Sequence, residues 1–189
     1  MSDAPYAQSP MHVRPCLRAD LDAMLDIVNR AAVAYQGVIP PDCWHAPYMS
    51  RAALSEEMAR GVQFSGIALG GALVGIMGME RVGDVCLIRH AYVLPGYQGH
   101  GVGSALLERL CDAHAHTVIL VGTWAAAHWA IGFYRRNGFA SVPDARIAPL
   151  LRGYWNVPQR QIETSTVLSR PALSDAQIAG LEKGGGPAG

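Results

Sequence analysis

The sequence predicts a mixed α/β or α+β domain built around one sheet. Three observations carry that expectation. Strand-like and helix-like apolar patterns alternate along the chain, a glycine pair separates two strand-like runs, and a glycine-rich stretch joins a strand to a helix. The length of 189 residues suits one compact domain. Half of the residues are hydrophobic and 16% are charged, which supplies a core and argues against disorder away from the ends.

In chain order, residues 1–10 read as a loose, Pro-containing lead, and Met11 to Leu17 as a first strand. Asp20 is placed to cap a helix in which Leu21, Met24, Leu25, Val28, Ala31, Ala32 and Tyr35 recur at helical spacing, with Gly37 as its stop. Val38 to Tyr48 carries three prolines and reads as a structured loop. Ser50 caps a second helix whose Ala53, Leu54 and Met58 face inward, and Gly61 stops it. Val62 to Leu69 and Ala72 to Arg81 form a hairpin through Gly70-Gly71, and Gly83-Asp84 turns the chain into a strand from Val85 to Leu94. Helices are expected over Ser104 to Ala115 and Ala125 to Asn137. Between them Thr117 to Gly122 is an apolar strand suited to a sheet centre. Phe139 to Val142 begins a further strand, residues 143–158 form an excursion with Pro and Trp, and Gln161 to Leu168 alternates as a last strand. The glycine-rich tail reads as mobile.

Several function classes are disfavoured. Net charge is zero and Lys183 is the single lysine, so no basic groove for nucleic acid or an anionic membrane is expected. Cys16, Cys43, Cys86 and Cys111 are far apart and form no C-x-x-C pair, which points to free thiols in a reducing compartment rather than a metal site or a disulfide framework. No signal peptide or membrane-spanning run is read, so a soluble cytoplasmic protein is the expectation. His114 and His116 lie two apart, which does not place them on one helical face for a metal.

The stretch Gly96-Tyr97-Gln98-Gly99-His100-Gly101-Val102-Gly103, between a strand and a helix, suits an anion. Glycines let the backbone approach closely, and the helix N-terminus aims N–H groups and its dipole at one spot. A Walker loop fails because Val102 stands where its lysine belongs, and a dinucleotide fingerprint carries little weight because Ser104 stands where its third glycine belongs. The pattern that fits is Gln/Arg-x-x-Gly-x-Gly/Ala, met by Gln98, Gly101 and Gly103. An ordinary tight turn is the bland alternative, and the order of surrounding elements speaks against it.

On these residues the chain resembles the GNAT superfamily of acetyl-CoA-dependent N-acyltransferases. Val13-Arg14-Pro15 with Ala19-Asp20-Leu21 is similar to that family's first strand and helix start, and Ala130 to Tyr134 with Gly138-Phe139 to its fourth helix. The resemblance spans residues 11–168, read as one acetyltransferase domain with terminal extensions at 1–10 and 169–189. It implies a mostly antiparallel sheet with a V-shaped splay between the fourth and fifth strands, flanked by about four helices. It further implies that Tyr92 and Val93 pair with the pantetheine of acetyl-CoA, and that Gln98, Gly99, His100, Gly101, Val102, Gly103 and Ser104 cradle its phosphates. One departure is Ala127, which stands where the family often has an asparagine seven residues before its helix tyrosine.

Acetyl transfer to an amine needs proton removal, an oxyanion donor and a proton for the leaving thiolate. The resemblance implies Tyr134 as general acid and the Val93 N–H as oxyanion donor. The base is open between Glu80, placed first as a carboxylate, and His90, with an ordered water chain as a third route. Trp44, His45, Tyr48 and Trp124 are the candidate acceptor wall, and residues 143–158 either cover that cleft or serve a homodimer contact. The expected activity is transfer of acetyl from acetyl-CoA to a primary amine, on a small molecule or a peptide. A non-catalytic acyl-CoA sensor and an enzyme using a longer acyl-CoA are the competing readings.

Overall fold

The computed structural model describes residues 11–184; the expected loose lead and the last five residues of the tail lie outside the described residues. Seven strands form one sheet in the order β1-β2-β3-β4-β5-β7-β6. They are β1 (Val13–Pro15), β2 (Gln63–Leu69), β3 (Ala72–Val82), β4 (Val85–Val93), β5 (Val118–Trp124), β6 (Ala140–Ser141) and β7 (Ser165–Arg170). Every neighbouring pair is antiparallel except β4 and β5, which run parallel. The mixed, mostly antiparallel sheet is the one expected. Its expected helices appear as α1 (Leu21–Ala32), α2 (Arg51–Ala59), α3 (Val102–Ala113) and α4 (His128–Arg136), and three more follow: α5 (Asp144–Tyr154), α6 (Gln159–Glu163) and α7 (Asp175–Gly184).

Alternation along the central strands explains why both sheet faces are covered. Val85 and Leu87 of β4 and Leu120 of β5 pack with Leu150, Leu151 and Ile178 of α5 and α7. Their neighbours Cys86, Ile88, Ile119 and Val121 belong to the larger core with α1, α2 and α3. Successive side chains of a strand point to opposite faces, so a strand buried on both sides must be apolar throughout, as 118–121 is.

Local signals decide the helix starts. The Ser50 hydroxyl accepts from the Ala53 N–H at 3.1 Å and so caps α2 as expected. Asp20 behaves differently. It precedes α1, but its carboxylate turns back to the Leu17 N–H (2.7 Å) and to the Arg14 guanidinium (2.7 and 2.8 Å), tying β1 to the helix start instead of capping α1. The Arg14 hydrogen bonds, with that of Leu17, hold the Asp20 carboxyl down at about 2.

Two expectations are corrected beyond residue 142. The excursion at 143–158 is largely the helix α5, although Pro149 lies inside it. An interior proline costs about 3 kcal/mol. Leu150 and Leu151 are both fully buried, and at roughly 1.5–3 kcal/mol each their burial offsets that cost. The strand expected from Gln161 starts only at Ser165, because Pro158 opens the one-turn helix α6, which buries Ile162 before the true alternation begins.

Candidate active site

The parallel β4–β5 pairing lasts four residues on each strand, Val85–Ile88 against Val118–Val121. Beyond it β4 stays with β3 as far as Val93, while β5 stays with β7 as far as Trp124, so a gap opens between them. The cause on the β4 side is a bulge. Gly78 pairs with Arg89 and Ile76 with Tyr92, which leaves His90 and Ala91 opposite Met77 alone. His90 takes a left-handed backbone there (φ 52°), a conformation that costs about 1 kcal/mol or more for a residue with a side chain.

The backbone of the opened strand has a defined direction. Leu94 donates its N–H to the Val74 carbonyl at 2.9 Å. Antiparallel ladders alternate, so the N–H of Val93 points the other way, into the gap, while that of Tyr92 points to β3. Of the two residues expected to offer backbone to a ligand, Val93 is the one facing the gap. Gln98 Nε2 donates to the Val93 carbonyl at 3.0 Å and ties the glycine loop to this strand end.

The loop then makes an open cradle. Gly99 and Gly101 have φ of 78° and 84°. A side-chain carbon would meet nothing within 4 Å at Gly99, and at Gly101 only the Met11 methyl at 3.6 Å. Gly101 is the N-cap of α3, and the first hydrogen bond of the helix runs from Ala105 back to Gly101. The N–H groups of Val102, Gly103 and Ser104 are therefore outside the helical ladder, where the helix dipole favours an anion. Across the opening Phe133 of α4 lies 3.3 Å from where a Gly103 side chain would begin, so α3 and α4 meet at the loop.

A cleft of about 1250 Å³ runs through the gap. Pockets for single small ligands are commonly about 300–1,000 Å³, so it has room for two reactants together. It gathers Tyr134, His90, Tyr92, Val93, Gln98, Gly99, Gly101, Gly103 and Ser104 with the acceptor candidates His45, Tyr48 and Trp124. The rest stand apart. His100 is exposed, with Nδ1 on the Gln98 carbonyl at 2.9 Å, and the Val102 side chain is buried in the core. Trp44 gives its Nε1 hydrogen to the Ala32 carbonyl at 3.3 Å and packs in a small cluster with Ile39 and Ala127. Glu80 does not line the cleft and is bound to Arg89 at 2.6 Å. Ala127 is fully buried, so no polar side chain reaches the cleft from the position of the departure.

Around the cleft centre the chemistry is concentrated. Tyr134 is buried between Phe133 and Phe139, with ring centroids at 5.1 and 5.5 Å, and that burial pushes its phenol well above its ordinary value. It is protonated at neutral pH. His90 places Nε2 3.0 Å from Oε2 of Glu57 and lies against the Phe64 ring. Glu57 also meets Arg89 at 3.3 Å and is paired with Arg60. Burial alone would raise the Glu57 carboxyl, but the His90 hydrogen bond and the Arg89, His90 and Arg60 charges outweigh it and hold it below its ordinary value. An ionised carboxylate only accepts, so Nε2 carries the hydrogen toward Glu57, and in the neutral ring the lone pair is then on Nδ1.

Sequence reasoning missed Glu57, Tyr35 and Trp129, which all line the cleft. For Glu57 a signal existed. It lies three residues after Leu54 on α2 and so shares the inward face, where a carboxylate needs partners. Tyr35 was visible as an apolar helix position, but nothing local told its role. Trp129 gave no local signal. Among the described residues no group of three or more His, Cys, Asp or Glu could hold a metal, and no helix is long and apolar enough to cross a membrane.

Comparison with known proteins agrees with this geometry. Residues 61–141 match the acetyltransferase (GNAT) domain. No curated protein sequence matches the chain. Among solved structures, the chain is similar to the PaiA N-acetyltransferase of Thermoplasma acidophilum in complex with coenzyme A, at 15% identity and a TM-score of 0.66, over 87% of this chain and 100% of that one. It is also similar to the ribosomal-protein-S18-alanine N-acetyltransferase of Escherichia coli, at 18% identity and a TM-score of 0.61, over 87% and 96%. A third is YncA, a putative acetyltransferase from Salmonella typhimurium with its cofactor acetyl-CoA, at 24% identity and a TM-score of 0.54, over 71% and 82%. At these identities the structures speak for the fold alone. Residues 61–141 thus carry the match to the acetyltransferase (GNAT) domain, and the likeness in fold to acetyltransferase structures extends over 87% of the chain.

Proposed function

We propose that the protein transfers acetyl from acetyl-CoA to a primary amine by direct attack. The observation that carries this reading is the coincidence, in one cleft, of an open anion cradle, a strand end whose Val93 N–H faces the gap, and the pair Tyr134 and His90. The residues present fit acetyl-CoA. The cradle from Gln98 to Ser104 suits its pyrophosphate, and the β4–β5 gap suits an extended chain that hydrogen-bonds to the opened strand. When bound, acetyl-CoA supplies the thioester acetyl group and a thiol leaving group.

The protein's part in the reaction follows from its atoms. His90 Nδ1 takes a proton from the attacking amine, while Glu57 on Nε2 fixes the tautomer and stabilises the charge that His90 acquires. The Val93 N–H donates to the carbonyl oxygen as negative charge gathers there. The Tyr134 hydroxyl donates to the departing sulfur and is the general acid. The new C–N bond replaces the C–S bond, and the two protons move from amine to His90 and from Tyr134 to sulfur; solvent exchange restores both groups. His90 fits the base role better than Glu80, because His90 lines the cleft and Glu80 is bound to Arg89 away from it.

The test is thiol release from acetyl-CoA in the presence of primary amines, with the acetylated amine detected by mass spectrometry. Turnover that falls about a hundredfold in His90→Ala, with acetyl-CoA affinity retained, is expected of a general base. Undiminished turnover in that variant would remove His90 from the mechanism. Binding of acetyl-CoA without turnover of any amine would contradict the enzymatic reading.

A further inference from the structure

Beyond Tyr134 and His90 the cleft is walled by aromatic rings. Tyr35 at the end of the first helical region stacks with Tyr48 of the following loop, centroids 5.8 Å apart, and meets Trp129 at the start of α4 at 5.7 Å. His45 lies over Tyr48 at 6.2 Å. The Tyr48 oxygen accepts from Trp124 Nε1 at 3.3 Å and is hydrogen-bonded with the Tyr92 hydroxyl, so its ring is held in place by β5 and β4. Five chain segments thus converge on one aromatic chamber. It is not closed: Trp129 keeps 47% of its surface exposed, and Tyr35 and Tyr48 are half-buried. An exposed tryptophan continuous with partly open tyrosines at a cleft wall is apolar surface left for a ligand.

The charges along the same cleft narrow what that ligand can be. Its two lining carboxylates are both engaged, Asp42 with Arg160 at 3.2 Å and Glu57 with His90, Arg89 and Arg60. Arg89, Arg136 and Arg160 line it as well. An acceptor with several ammonium groups would meet arginines and already paired carboxylates, an arrangement that repels it.

We propose that the acceptor is an arylalkylamine: a primary amine on a short alkyl chain, whose aromatic ring stacks in the chamber of Tyr35, Tyr48 and Trp129 while the amine turns back to His90 and Tyr134. This rests on the acetyl-transfer reading and deepens it by naming the acceptor class. One amine reacts, and the ring supplies the binding energy that the absent free carboxylates do not.

The test compares kcat/KM for phenethylamine with that for spermidine, glutamate and a lysine-containing peptide, on the parent and on Trp129→Ala. Trp129 is exposed, so its truncation leaves the core untouched. Phenethylamine should be preferred at least tenfold, and Trp129→Ala should raise its KM about tenfold, far more than it changes kcat. A second readout, quenching of tryptophan fluorescence by phenethylamine without acetyl-CoA, separates the two layers of the argument. Saturable quenching that Trp129→Ala weakens, without turnover of any amine, would uphold arylalkylamine binding in the chamber and defeat the transfer reading. Faster turnover of spermidine, glutamate or the peptide, or a phenethylamine KM that Trp129→Ala leaves in place, would overturn the arylalkylamine proposal and leave acetyl transfer standing.

Discussion

The two ends of the cleft are built in opposite ways. The proposed donor end is one continuous stretch, Gln98 to Ser104, which offers backbone N–H groups and has no side chains at Gly99 and Gly101. The proposed acceptor end is assembled from segments up to about a hundred residues apart in sequence, and it works through side chains: Tyr35, Tyr48, Trp124 and Trp129. A backbone device needs a fixed local spacing. A side-chain device needs only that the fold bring the residues together. Substitutions at the donor end should therefore act on acetyl-CoA affinity alone, those at the acceptor end on amine KM alone, and those between them on kcat.

The largest effect should fall between the two ends. Tyr134→Phe removes one hydroxyl from a buried ring and should lower kcat about a hundredfold or more, with both affinities within about twofold of the parent. A change in acetyl-CoA affinity instead would move Tyr134 from the chemistry to the cradle. At the donor end, Gly101→Ala forces a side chain into a left-handed backbone. It should weaken acetyl-CoA about tenfold by calorimetry while leaving the amine KM as it was, equivalent to the roughly 1–2 kcal/mol cost of that conformation. An equal shift in amine KM would erase the distinction between the ends.

A smaller effect separates strain from chemistry at the bulge. His90→Ala and His90→Gly both remove the proposed base, but only glycine accepts φ 52° freely. His90→Gly should be the more stable of the two by about 1 kcal/mol in urea unfolding, with equal loss of activity. Equal stability would mean that the bulge relaxes. The smallest effect is on acid stability. Glu57 and Asp20 both have carboxyls held below their ordinary values, Asp20 at about 2, so each adds stability above the carboxyl's unfolded value, and that stability is lost as pH falls through the folded one. Thermal midpoints should fall between about pH 4 and pH 2, and less steeply in Asp20→Asn. A parallel fall in that variant would remove Asp20 from the cause.

The same contrast explains what the sequence could reveal. The strands up to β5, the first four helices and the glycine loop follow from period, the Ser50 cap and glycine spacing, all of which are local. The helix α5 was hidden by Pro149, whose local cost is offset by tertiary burial of Leu150 and Leu151. The sequence places Glu80 first as base and His90 second, because nothing local says that Arg89 binds Glu80 while His90, at the bulge, lines the cleft. Trp44 and Trp124 had equal standing as acceptor residues and share one apolar cluster, yet Trp44 gives its Nε1 hydrogen to the Ala32 carbonyl and does not line the cleft, while Trp124 lines it and reaches Tyr48. Those differences are set by pairings across the fold, which one sequence read locally does not contain.

Isothermal titration with acetyl-CoA, of the parent beside Gly101→Trp, bears on all of this at once. A tryptophan there fills the open cradle and strains the α3 start without entering the buried core. The geometry predicts saturable binding to the parent and none to a folded Gly101→Trp variant. Absence of binding to the parent, or equal binding to both, would contradict the assignment of acetyl-CoA to this cleft.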